Sequence, residues 1–287
     1  MFENYLATKE DLKAIEEGIS TVWLKELDFM FKNRKLINNI IVISYDSKFF
    51  YVWTKILLPK FNKLSTQLKE YNFYKINHYI KIEDDQQLGW CAGLKIKKIT
   101  QYLPKQLTID NFQYPKVSGS LLGPFIKSHI GQKDAYSTRQ SYLATIVHEF
   151  GHIYYGQHKL DWYSDKKENL KYLKTALNLY ESKTIDLKYF KVRIPSYMSF
   201  SELYAFCVEY TTACLFWLRY KNKLDMENKK ILKQQIKNEN RNNLNIQNSV
   251  FESTKGQHIF ALTIGKIILS RFPDSWPEKI LSINQLG

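Results

Sequence analysis

The sequence contains few cysteines: Cys91, Cys207 and Cys214 are the three among 287 residues. Because they are odd in number and lie among apolar residues, we expect no framework of disulfide bonds and a reducing compartment. The sequence also lacks an apolar run of about 18 residues, the length that a transmembrane helix needs. Its longest run, 259–270, is interrupted by a glycine and a lysine, and residues 1–11 lack the apolar core of a signal peptide. We therefore expect a soluble, cytoplasmic protein with no membrane partner.

Negative charge is scarce relative to positive charge. The 42 lysines and arginines outnumber the 28 aspartates and glutamates, which gives a formal net charge of +14 at pH 7. Such an excess favours acidic partners, nucleic acid among them. Dispersed lysines are mostly solvated, however, and a positive cluster on one face would be needed for binding. Nucleic acid is therefore a partner that the composition permits but does not favour.

One segment, 145–154, carries the pattern His-Glu-x-x-His, formed by His148, Glu149 and His152. On a helix, positions i and i+4 lie on one face, so the two imidazoles point the same way, one turn apart. That separation suits two nitrogen ligands of one Zn²⁺. Glu149 can reach a water at such a site but not the metal itself, which makes it the expected general base.

The surroundings of the motif support this interpretation. Glu149 is the one charged residue in 145–154, as expected of a helix placed in a core. The alternative is a pair of core histidines satisfied by hydrogen bonds, with Glu149 as a paired carboxylate. It is less favoured, because three ionisable groups in an apolar turn are costly without a common partner.

A catalytic zinc site needs a third protein ligand. Glu202 lies near the start of a largely apolar predicted helix, and Ala205 shares its face. A small residue there lets this helix lie close to the motif helix, as a bond from Glu202 to the metal requires. Alternatively, Glu202 is an N-terminal carboxylate that the helix dipole favours. A second candidate ligand is His158, six residues after His152.

These residues resemble the motifs of the zincin metallopeptidases. The segment 145–154 resembles their zinc-binding helix, and Glu202 with Ala205 resembles the Glu-x-x-Ala motif of the gluzincins, whose glutamate is the third ligand. His158 has the spacing of the third metzincin ligand, but that family places a glycine where this chain has Tyr155. We therefore favour Glu202.

The resemblance implies further roles. Glu209, two turns after Glu202, is expected to accept a hydrogen bond from a ligand histidine or to replace Glu202 as ligand. Many gluzincins use a downstream histidine or tyrosine to stabilise the oxyanion, which makes His258 a catalytic candidate. Its alternatives are Tyr154, Tyr155 and Tyr210. Met198 lies where the Met-turn of a metzincin could fall.

The function implied by the resemblance is zinc-dependent hydrolysis of peptide bonds in a peptide or protein substrate. Zn²⁺ would be bound by His148, His152 and Glu202, with Glu149 and His258 as catalytic residues. The alternative is a basic, nucleic-acid-associated protein with a zincin-like core and a structural or regulatory metal site.

The expected fold class is α+β and zincin-like, with a small mixed β-sheet packed on the active-site helix and a mainly helical C-terminal half. We expect one domain, 1–287, in which 36–158 hold the sheet and motif helix. The helical part, 159–287, carries the third ligand. The segment 89–94 resembles the zincin edge strand that pairs with extended substrate, and the alternative, equally open, is a packed β-bend with no substrate role.

Hydrophobic periodicity and turn residues predict the elements. Residues 115–134 are expected to form a connecting loop, Gly156 to end the motif helix, and the residues after 271 to form a proline-containing tail. The predicted helices are 8–32, 47–71 with a break at Pro59, 137–155, 164–182, 199–221 and 255–271, and the predicted strands are 40–43, 73–82, 88–100 and 106–112.

Overall fold

A computed structural model of the chain describes residues 6–59, 61–77, 90–93, 118–123, 125, 139–158, 197–220, 261, 264–265 and 268–282. The predicted strand 106–112, the predicted helix 164–182 and His258 lie outside these residues. The chain divides into two compact units, Met1–Gln157 and His158–Gly287.

The first unit begins with helix α1, Lys9–Val22. Thr8 and Asp11 form the predicted capping box, in which each side chain bonds the backbone N–H of the other. The prediction of a single helix through residue 32 is wrong beyond Val22. The guanidinium of Arg34 donates hydrogen bonds to the carbonyl oxygens of Val22 and Leu24, at 3.0 Å each, and so satisfies groups that a longer helix would have bonded.

A six-stranded mixed sheet follows, with the strand order β3-β4-β2-β1-β6-β5. β1 is antiparallel to β2 and parallel to β6, and β5 is antiparallel to β6. The predicted buried strand 40–43 is confirmed as part of β1, and helices together with this sheet confirm the α+β class. The zincin-like packing stays a prediction. The strands are β1 Ile40–Tyr45, β2 Phe49–Thr54, β3 Lys63–Leu64, β4 Asn72–Asn77, β5 Cys91–Gly93 and β6 Gly119–Gly123.

The predicted helix 47–71 is wrong, because β2 and β3 lie within it. The Asp46 carboxylate accepts the backbone N–H groups of Lys48 and Phe49, at 2.8 Å each, and this closes a tight turn between β1 and β2. The aromatic and β-branched residues that follow then form a buried strand.

The predicted loop 115–134 is also wrong in part, because it contains β6. Gly119 and Gly123 indicated a loop, but Gly123 meets the side chain of Trp90 so closely that an added Cβ would overlap the indole ring. Here glycine permits a close approach within a strand.

The two faces of the sheet bury different groups. On one face, α1 is joined to β2 through Glu16, whose carboxylate accepts the indole N–H of Trp53 at 3.2 Å. The other face carries an apolar cluster to which Ile56, Leu58 and Phe61 contribute. Its fully buried members are Ile41, Ile43, Phe50, Val52, Leu58, Tyr74 and Ile76.

Two long helices bear the motif residues: α2, Arg139–His158, in the first unit and α3, Tyr197–Tyr220, in the second. α3 confirms the predicted helix 199–221. A further helix, α4, Trp276–Ser282, corrects the predicted tail and packs on α3 through Tyr204. The described residues of the predicted helix 255–271 are helical. Among the helices that the structure describes, none is both long and apolar enough to cross a membrane.

Candidate metal centre

Helix α2 holds the His-Glu-x-x-His motif within the first unit. The predicted end at Gly156 is wrong, since the helix continues to His158. The side chain of Gln157 donates a hydrogen bond to the carbonyl oxygen of Ser118, and this ties the last turn of α2 to the start of β6. Gly156 is buried within the helix rather than placed beyond its end.

His148 and His152 face each other on α2, as the i, i+4 spacing predicts. Their Nε2 atoms lie 3.0 Å apart, and the half-buried rings meet edge to face at 75°. Two nitrogens that each lie about 2.0–2.1 Å from one tetrahedral ion are about 3.3 Å apart. The observed separation is therefore close to the one that a shared metal requires.

Glu202 joins the two histidines. The carboxylate oxygen of Glu202 and the ring nitrogens of His148 and His152 all lie within 4.8 Å of one another, and Glu202 is 8% exposed. This group could hold a metal ion.

The donor types suit a divalent transition metal ion, zinc among them. Two imidazole nitrogens and one carboxylate oxygen match the ligands of hydrolytic zinc sites, which keep a fourth position for water. Glu149 directly follows the first histidine and is 6% exposed. It lies outside the group of three donors, which is the arrangement expected of a general base rather than a ligand.

Three comparisons, with protein-family models, curated proteins and solved structures, found no match. The function is therefore inferred from the geometry of His148, His152 and Glu202.

The alternative ligands are placed differently. His158 is exposed in the last turn of α2, about 9 Å along the helix axis from His152. Glu209 is half-buried on α3. Within the part of the chain that the structure describes, neither belongs to the group of three donors. Met198 is helical, so no Met-turn forms there.

The tyrosine candidates for the oxyanion also differ in their surroundings. The Tyr154 hydroxyl accepts the backbone N–H of Asn33 at 3.1 Å and is 2% exposed, so it serves a contact in the core. Tyr155 is equally buried, whereas Tyr210 is half-buried on α3.

Cys207 lies on α3, five residues after Glu202, and is fully buried. Burial raises the pKa of its thiol well above the ordinary value. Within the described residues Cys207 does not belong to the group of three donors, so we interpret it as a packing residue. It contributes to the close contact between α3 and Gly265.

The residues that support α2 from α1 were not singled out by sequence analysis. These are Glu17, which forms an ion pair with Arg139, and Gly18, which contacts Ile146. One signal was present: Gly18 is a glycine in the interior of an amphipathic helix, which costs about 1 kcal/mol relative to alanine unless packing requires it.

Proposed function

We propose that the protein is a zinc-dependent metallopeptidase with a zincin-like core. The observation that supports the proposal is the convergence of His148, His152 and Glu202 within 4.8 Å, with the buried carboxylate of Glu149 next to the first histidine. A site that only had to hold metal would have no use for this fourth group.

Metal binding and proton transfer would be carried out by different residues. His148 and His152, through Nε2, and Glu202, through its carboxylate, would hold the zinc ion. When bound, zinc supplies a water of lowered pKa and an electrophile for the scissile carbonyl. Glu149 takes the proton of the attacking water on its carboxylate and delivers it to the departing amide nitrogen. The same carboxylate thus acts first as base and then as acid.

Substrate binding by strand addition belongs to the same proposal. β5 pairs with β6 and stands at one end of the strand order among the strands that the structure describes. An edge strand offers backbone N–H and C=O groups to an extended peptide. An extended peptide segment is therefore the substrate that this sheet edge would suit.

The test is the Glu149→Gln variant, which keeps the shape of the side chain and removes the base. We expect the unmodified protein and Glu149→Gln each to bind one zinc ion per chain, as measured by elemental analysis. Hydrolysis of a mixed fluorogenic peptide library should fall by about 10²-fold or more in the variant.

Glu10→Gln is the matched control, because it makes the same substitution at an exposed glutamate on α1 that forms no ion pair with α2 among the residues that the structure describes. It should leave both zinc content and rate unchanged. An undiminished rate in zinc-loaded Glu149→Gln would overturn the proposed mechanism.

A further inference from the structure

Three contacts join the N-terminal segment 9–34 to α2, at the beginning, middle and end of that helix. Arg139 bonds Glu17 through Nε and Nη2, at 3.0 and 2.6 Å. Ile146 contacts Gly18. Tyr154 accepts the Asn33 N–H and packs edge to face on Phe31, with ring centroids 5.3 Å apart.

These contacts lie away from the imidazoles. At about 100° per residue, His148 is about 200° around the helix from Ile146, and His152 is about 240° from it. The N-terminal segment thus holds α2 from the side opposite the histidines. Any displacement of α2 at Ile146 is carried to both imidazoles, because a helix moves as a rigid element.

The middle contact has no spare room. A Cβ at Gly18 would lie 2.5 Å from Cδ1, 3.1 Å from Cβ and 3.2 Å from Cγ2 of Ile146. Carbon atoms in favourable contact are about 3.5–4.0 Å apart. If Cδ1 rotates away, Cβ and Cγ2 of Ile146 still require a movement of about 0.4 Å, and without that rotation the movement is about 1 Å.

Because buried hydrogen bonds anchor α1 on its sheet side, we expect α2 to take up most of the movement. Glu16 precedes Gly18 by two residues, and its buried carboxylate accepts the Trp53 indole N–H and the Thr66 hydroxyl, the latter at 2.6 Å. These bonds anchor α1 to β2 and to the segment before β4.

From these contacts we propose that Gly18 is a positioning residue, through which α1 sets the place of the motif helix and hence of the zinc ligands. The effect of Gly18 on catalysis rests on the proposed function. Its effect on the position of α2 does not.

The experiment compares Gly18→Ala, Ile146→Val and the double variant with the unmodified protein. In Gly18→Ala, a crystal structure should show α2 displaced by about 0.4–1 Å relative to β1. Zinc affinity, measured by chelator competition, should fall by about 10- to 100-fold. The double variant, which lacks Cδ1 of Ile146, should regain part of this loss.

Ile146→Val alone is the matched control, because it removes one buried methyl group and displaces nothing. It should lower stability while preserving zinc affinity. If affinity falls there as much as in Gly18→Ala, or if α2 keeps its place in Gly18→Ala, the positioning role is wrong. The crystallographic comparison needs no metal, so failure of the unmodified protein to bind zinc would overturn the proposed function alone.

Discussion

The contribution of Glu202 can be measured as the effect of zinc on thermal stability. A metal that binds the folded state raises the free energy of unfolding, and the rise depends on the ligands that hold it. Because Glu202 supplies one of the three donors that lie within 4.8 Å, Glu202→Gln should remove most of this rise. Glu209→Gln should keep it, although both glutamates lie on α3.

The expected magnitude follows from linkage. At a free zinc concentration of 100 times Kd, binding stabilises the folded protein by about 2.7 kcal/mol. Loss of a ligand that weakens binding by about 100-fold leaves about 0.4 kcal/mol. For a chain of this size, each kcal/mol of stabilisation raises Tm by about 2 °C. The zinc-dependent shift in Tm should therefore fall from about 5 °C in the unmodified protein to below about 1 °C in Glu202→Gln.

The assay is scanning calorimetry of each protein with zinc and with a chelator. His158→Gln joins the series, because His158 is the other candidate third ligand. A full zinc-dependent shift in Glu202→Gln, or its loss in Glu209→Gln or His158→Gln, would refute the assignment of Glu202 as the third ligand.

Two predictions concern the scaffold. Glu16→Gln should lower the free energy of unfolding by about 2 kcal/mol in urea titrations, because Oε1 of the buried carboxylate accepts hydrogen bonds from Trp53 and Thr66, Oε2 accepts the Gln67 N–H, and an amide has one acceptor oxygen. Its partly exposed neighbour is the control, and Glu17→Gln should change the free energy of unfolding by less than about 0.5 kcal/mol. The raised pKa of Cys207 means that its thiol stays protonated in the folded state, so its contribution to stability is complete below about pH 9 and is lost as the pH rises above that value. Cys207→Ala should therefore reduce the alkaline fall in the free energy of unfolding, and an identical pH profile would contradict this.

Features that depend on local sequence could be predicted. The position of His148 relative to His152 follows from helix geometry alone, and the 3.0 Å between their Nε2 atoms agrees with it. The capping box at Thr8 and the buried strand β1 likewise follow from residues close together in the chain. The approach of Glu202 was expected from its motif, not from any local rule.

The errors arose where distant residues decide the local structure. α1 ends at Val22 because Arg34 takes up its carbonyl groups, and β6 tolerates Gly123 because Trp90 occupies the space of a side chain. The segment around Thr66 is joined to Glu16 on α1. Periodicity within a short window contains none of these contacts, so it could not distinguish strand from helix in 47–71 or strand from loop at β6.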